Sequence, residues 1–269
     1  MRLPPKKMLS KLVTVAALAV VALTSAQAAF VYGLSTGQDS GIFKIDVSTG
    51  GTTLMHSISH AGGLNNNTTN SLAYNSATGD FFYTGADKKL YKVNGSGDTL
   101  VGTLSKSAAS GTFYNGSFYY VEQSTKNVRR VNVNTFSDTL FSTPTGLGSG
   151  SYGDIASKND GTFLASNSAG FYGGSLASGL TTMSARASNP GSLQLGFYND
   201  AALYGISAGS DQIFSINAAT GASTYLNTLT NGSRLFITDV ASAQAVPEPA
   251  SLAALALGAG AFLRRRRKA

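Results

Sequence analysis

A short strand-like motif recurs five times along this chain, and that repeat constrains its fold more than any other feature. The clearest copies, Ile42–Gly50 (IFKIDVSTG) and Ile213–Gly221 (IFSINAATG), agree at five of nine positions. Leu90–Asn94, Val128–Asn132 and, in degraded form, Phe171–Ser175 align with them. The copies start at residues 42, 90, 128, 171 and 213, so their spacing averages about 43 residues. Apolar residues alternate within each copy, and Gly, Ser, Thr and Asn interrupt the chain every ten residues or so. No stretch of the body keeps the i, i+3, i+4, i+7 pattern of an amphipathic helix, so the units are read as strands. Asp46, Asn94, Asn132 and Asn217 close four copies and Ser175 the fifth. Such side chains bond the backbone two residues on and initiate turns.

Each motif has neighbours. A strand is predicted before it (Phe30–Gly33, Phe81–Thr84, Ser117–Val121, Thr162–Ser166, Ala202–Ser207). Another is predicted after it (Thr52–Ile58, Asp98–Leu104, Ser137–Ser142, Leu180–Ala185, Ala222–Leu229). Four units open with a further strand, at Ser71–Tyr74, Gly111–Tyr114, Tyr152–Ala156 and Leu193–Phe197, which the first unit lacks. The missing strand stands at the far end, as Phe236–Ala241. Four-stranded units of this length, with a terminal strand completing the first, predict an all-β, five-bladed β-propeller closed by pairing its two ends. A β-sandwich would explain the strand count but has no need of the repeat. The repeat also resembles exported propeller-like proteins with Y-x-I-D…T-G units, which implies the fold and no activity.

Charge is concentrated outside this body. Of 20 Lys+Arg residues, four lie in the first eleven positions (Arg2, Lys6, Lys7, Lys11) and five in the last six (Arg264, Arg265, Arg266, Arg267, Lys268). Between Ala29 and Val246, eleven basic residues face twelve acidic ones, with no basic run longer than two. A surface that tracks phosphates needs clustered cations, so nucleic-acid binding is not expected despite the formal charge of +7. The absence of Cys excludes disulfides, thiol catalysis and thiolate metal sites.

Both ends read as targeting segments. A basic start, an apolar stretch from Leu12 to Leu23 and the small-residue sequence Ala26-Gln27-Ala28 predict a signal peptide over residues 1–28, cleaved after Ala28. At the other end Val246-Pro247-Glu248-Pro249 precedes an apolar run, Ala250–Leu263, and the Arg cluster. The prolines hold the segment extended and open to a processing enzyme. As a helix, the 14-residue run would extend about 21 Å, short of a ~30 Å hydrocarbon core. The arginines place that end on the cytoplasmic side and the body outside. Residues 246–269 resemble the PEP-CTERM sorting signal of Gram-negative bacteria. The resemblance implies recognition and cleavage by an exosortase, transient residence in the inner membrane through a short transmembrane helix, and association with exopolysaccharide production. The expected route runs through the periplasm to the cell surface or extracellular matrix. Three domains are expected: residues 1–28, a propeller over 29–245, and the sorting segment over 246–269.

Catalytic chemistry is sparse. His56 and His60, four apart, lack a third nearby ligand and read as a solvent-exposed or pH-sensitive pair rather than a metal site. Glu122, the body's single glutamate, stands at the end of a second strand; it could be a third carboxylate but reads as a surface loop residue. Asp154 (YGDIA) and Asp239 (ITDVA) hold matching positions on predicted inner strands and form the possible ligand funnel. They could act as the paired carboxylates of a glycan hydrolase, but the favoured reading has them bonding the backbone of neighbouring blades. Abundant Tyr and Phe are assigned mostly to blade packing, and the Asn65–Asn70 loop is a possible contact site. No cofactor or metal is expected. The reading that results is a non-enzymatic surface or matrix protein that binds polysaccharide or a protein partner; the alternative is a hydrolase using Asp154 and Asp239.

Overall fold

The computed structural model describes residues 28–60, 69–95, 97–148 and 153–243. The signal peptide apart from Ala28, most of the Asn65–Asn70 loop, and the sorting segment with its expected helix lie outside these residues. Among the described residues, no helix is long and apolar enough to cross a membrane.

The chain forms five four-stranded antiparallel sheets. The first contains β1 (Phe30–Ser35), β2 (Gly41–Asp46) and β3 (Thr52–Ser57). The second is β4 (Asn70–Asn75), β5 (Asp80–Thr84), β6 (Lys89–Asn94) and β7 (Gly97–Thr103). The third is β8 (Ala108–Tyr114), β9 (Ser117–Glu122), β10 (Val128–Asn132) and β11 (Ser137–Ser142). The fourth is β12 (Asp154–Ser157), β13 (Thr162–Asn167), β14 (Gly170–Ser175) and β15 (Ser184–Ala185). The fifth is β16 (Gln194–Tyr198), β17 (Ala202–Ile206), β18 (Gln212–Ile216) and β19 (Ser223–Thr228). After a 3-10 turn at Gly232–Arg234, β20 (Ile237–Ala241) returns to pair with β1 and completes the first blade. The innermost strands β20, β4, β8, β12 and β16 touch in succession around a ring. The protein is a five-bladed β-propeller closed by its terminal strand, as the repeat predicts.

In three of the five units the turn chemistry follows from the residue that closes the motif. Asp46 Oδ1 accepts the N–H groups of Ser48 (2.8 Å) and Thr49 (3.2 Å). Asn132 does the same for Asn134 and Thr135, and Asn217 for Ala219 and Thr220. One expected strand is much shorter. Leu180–Ala185 yields only Ser184–Ala185, because the backbone before it bonds elsewhere: Thr145 N–H donates to Thr181 O at 3.0 Å, and Met183 N–H to Thr145 O at 2.7 Å.

Burial is organised by seams. Five apolar clusters lie between successive blades, one per seam. Because strand residues alternate in direction, Phe81 and Tyr83 of β5 enter one seam while Phe82 enters the next. Both faces are buried, which is why the second strands read as nearly continuous apolar runs.

Polar groups fasten the seams at their outer ends. Tyr83 Oη donates to Asp98 Oδ2 at 2.6 Å, and Ser59 N–H reaches the same oxygen from the preceding blade. One blade on, Asp138 Oδ2 accepts Tyr120 Oη (2.9 Å) together with Ser105 N–H and Oγ. Asp138 also pairs with Arg129 at 2.8 Å, and Arg129 with Glu122 at 3.1 Å. Glu122 is therefore not a surface loop residue: it is 4% exposed, at the end of β9, held by Arg129 and Asn127. Burial pushes the Asp138 carboxyl upward, but bonds from Ser105, Arg129 and Tyr120 outweigh it and hold its pKa below the usual range. Its folded value being lowered, its support is present above the unfolded pKa of about 3.9 and is lost as pH falls through the lower folded value. Asp138→Ala leaves a buried guanidinium with one partner fewer, and a loss of about 3 kcal/mol is expected. Urea denaturation at pH 7 measures it; a loss below ~0.5 kcal/mol would show that the network does not hold the seam.

Candidate functional site

The five inner strands place polar residues at one level of the axis, one per strand except on β4, where the bulge brings both Asn70 and Ser71 there. Opposite equivalent positions of the second strands (Leu34, Thr84, Val121, Ser166 and Ile206) stand Asp239, Asn70, Ser110, Asp154 and Gln194. The register that aligns them includes bulges in β4, β8 and β20. At the β4 bulge Ser71 is left-handed, with φ +68°.

Asp154 and Asp239 are fully buried. Their oxygens collect one backbone N–H from every blade. Asp239 accepts Leu72 N–H (2.8 Å), Gly111 N–H (3.2 Å) and its own neighbour Val240 N–H (2.7 Å). Asp154 accepts Ile155 N–H (2.7 Å), Leu195 N–H and Ser110 Oγ. These N–H groups face the axis with no fifth strand to pair with, and an unmet buried N–H is costly. The two carboxyl groups also hydrogen-bond each other. Burial raises both pKa values, and the nearby Asp154 charge raises that of Asp239 further. Both shifts favour a proton on the pair. Both carboxyl groups are closed off from solvent and their oxygens are taken by backbone N–H groups and Ser110 Oγ, whereas paired hydrolytic carboxylates must meet substrate and water. Its geometry is that of a blade clamp.

The open half of the ring is different. Asn70 and Gln194, with Ala208, Phe236, Ile237 and Thr238, line a cavity of about 220 Å³ at the mouth of the axis. Asn70 Oδ1 accepts Ser71 N–H at 2.9 Å, which leaves its amide donors for a ligand. Gln194 Oε1 is buried and has no donor. Two carboxamides, a hydroxyl and a Phe ring, with no charge among them, suit a neutral ligand rich in hydroxyl groups. The position of Gln194 and Asn70 was not legible as a site in the sequence; the signal is a polar residue on each inner strand at matched register.

The other candidates lie apart. His56 packs edge-on to Phe81 (5.5 Å), and exposed His60 stacks on Tyr91 (4.1 Å, 8°), so the two rings sit on different aromatics. Among the described residues no three His, Cys, Asp or Glu side chains are grouped to hold a metal. Of the sorting and cleavage residues, Ala28 is exposed; Ala26, Val246, Pro247, Glu248, Pro249, Arg264, Arg265, Arg266 and Arg267 lie outside the described residues.

Because the folded pair binds a proton that the unfolded chain releases near pH 4, its contribution falls as pH rises from there toward the raised folded pKa. Asp211, raised by its own burial, adds a smaller trend of the same sign. The urea midpoint should therefore decline with pH above about 4, and Asp154→Asn should flatten that decline. An unchanged slope in Asp154→Asn would show that the two groups do not share a proton.

Residues 245–268 match the PEP-CTERM protein-sorting motif. No curated protein sequence matches the chain. Among solved structures, the chain is similar to one in the crystal structure of a nidogen/laminin complex, with a TM-score of 0.53, 10% identity, and 80% and 81% of the two chains covered. It is also similar to virginiamycin B lyase from Staphylococcus aureus, at a TM-score of 0.45, 15% identity, and 78% and 74% covered. At these identities the likeness is one of fold alone. The chain is thus a five-bladed β-propeller carrying a PEP-CTERM sorting motif, the mark of an exported exosortase substrate of Gram-negative bacteria.

Proposed function

We propose that the protein is delivered to the cell surface or extracellular matrix, where its propeller binds polysaccharide or a protein partner without catalysing a reaction. The observation that carries this reading is the sorting motif at 245–268 attached to a repeat-built body. Removal of residues 1–28 and processing near Val246–Pro249 would leave residues 29–245 as the mature unit, with Arg264–Arg267 on the cytoplasmic side until cleavage. The body between the two signals is almost neutral, which favours recognition through hydroxyl and carboxamide groups over phosphate-tracking. The axial mouth offers such groups, with Gln194 Oε1 awaiting a donor.

The competing reading, a glycan hydrolase using Asp154 and Asp239, draws no support from their geometry: both are 0% exposed and bonded to backbone N–H groups of every blade. A lyase appears among proteins of similar fold, but at a likeness too distant to transfer activity.

Two measurements check the reading. Pro247→Ala combined with Pro249→Ala should retain the protein at the inner membrane; delivery unchanged from the wild type would overturn the sorting claim. Residues 29–245 should co-sediment saturably with the producing bacterium's extracellular polysaccharide without shortening it. Gln194→Ala should weaken that binding about tenfold, the equivalent of ~1.4 kcal/mol for one well-placed hydrogen bond. Shortening of the polymer would refute the non-catalytic assignment.

A further inference from the structure

A cleft lies away from the axis, between the outer parts of the second and third blades. It encloses about 390 Å³ and is lined by Asn75, Asp80, Lys92, Thr99, Asn134 and Phe136 among others. Two departures from the repeat meet there. Four residues after the residue that closes the motif, the turn into the outermost strand is left-handed in four blades, and three of these supply glycine: Gly50, Gly179 and Gly221, at φ +71° to +82°. The third blade supplies Phe136 at φ +49°. A bulky side chain in that region is strained and persists only where its surroundings hold it.

Its partner departs in the opposite sense. On the outermost strands, the residues opposite Ile42, Val128 and Ile213 are His56, Ser142 and Asn227. In the second blade the residue opposite Leu90 is Gly102. A Cβ on Gly102 would lie 2.4 Å from the Phe136 ring. The ring therefore sits on a seat that only glycine provides. At the seam between the fifth and first blades, by contrast, Gly50 approaches so closely that a Cβ would fall 2.0 Å from Thr228 O. One seam is zipped by backbone contact; the other is built around a fixed aromatic ring beside an open cleft.

We propose that this cleft is a second ligand site, and that it takes one or two rings of a neutral oligosaccharide. A sugar presents apolar C–H faces and a rim of hydroxyl groups. Phe136 offers the matching apolar wall, and Asn134, Thr99 and Asn75 offer hydrogen-bonding groups of both kinds. Asp80 and Lys92 offset each other in charge, so a net charge on the ligand is not called for. The inference rests on the reading of the body as a binding module and names a place and ligand class for it.

The test uses oligosaccharides released by partial hydrolysis of the producing bacterium's extracellular polysaccharide, titrated against the propeller by calorimetry. Phe136→Gly restores the residue found at this turn position in the first, fourth and fifth blades. It should leave the melting temperature unchanged or higher and lower the affinity at least tenfold, while Phe136→Tyr retains it. Asn134→Ala, on the exposed rim, should lower affinity threefold or more without moving the melting temperature, and it covers the case in which Phe136→Gly fails to fold. Wild-type affinity in both Phe136→Gly and Asn134→Ala would overturn the site. If Gln194→Ala alone abolishes binding, the ligand enters the axial mouth: this site fails while the binding reading stands. If the wild-type body binds no oligosaccharide, both glycan assignments fail together.

Discussion

Five strands that converge on an axis leave backbone N–H groups pointing at one another, and this is the constraint on which the rest of the structure depends. A flat sheet would pair them with a further strand. A closed propeller has no further strand. Here two aspartates take all five N–H groups, three on Asp239 and two on Asp154. Asp239 lies on β20, the strand that closes the ring. Closure therefore delivers the carboxyl that ties the second and third blades to the first. The cost is two acids in one buried site, which a proton on the pair reduces.

Around that centre the seams are solved in two ways. The second and third blades carry Tyr83 and Tyr120 on their second strands, each reaching an aspartate at the start of the outermost strand. The first and fifth blades carry Gly33 and Gly205 at the corresponding positions, where a Cβ would press on Ile45 or on Ile216 and Leu193. These blades pack aliphatic side chains into the space a tyrosine fills elsewhere. The outermost strands share one more device: a bulge interrupts the register in four of the five blades. It twists an edge that carries exposed Leu54, Leu100, Leu140 and Tyr225, which discourages edge-to-edge pairing.

The elements that were legible in the sequence are those fixed locally. Motif strands, Asx-initiated turns and the displaced closing strand follow from period-two patterning and turn chemistry, and they stand where the repeat puts them. Asp154 and Asp239 could be matched to each other because their flanking residues repeat. Their equivalents at Asn70 and Ser110 were hidden, because bulges in β4 and β8 shift the count and conceal the common level, and Gln194 was hidden because its side chain differs from the aspartates it aligns with. Glu122 misled for a different reason: its partner Arg129 is seven residues on, across a turn, and only the fold brings the charges together. The weakness of β15 likewise depends on Thr145 of the preceding blade. The sorting residues are the opposite case. A processing enzyme reads them as linear sequence, so no fold is needed to recognise them.

A repeat protein supplies its own controls, and that is the basis for separating architecture from use. Where blades agree, as in the left-handed glycine before the outermost strand of the first, fourth and fifth blades, the residue serves the shared backbone. Where one blade departs and its neighbour departs to match, the shared backbone cannot be the reason. Phe136 and Gly102 are such a pair, and Phe136 lines the cleft. The axial ring shows the same division within a single level. Asp154, Asp239 and Ser110 are consumed by the blades, whereas Asn70 and Gln194 face a cavity with bonding capacity left over. A propeller needs the first set to close at all. Nothing in closing it requires the second, so the groups the fold leaves unspent are the ones free to meet a ligand.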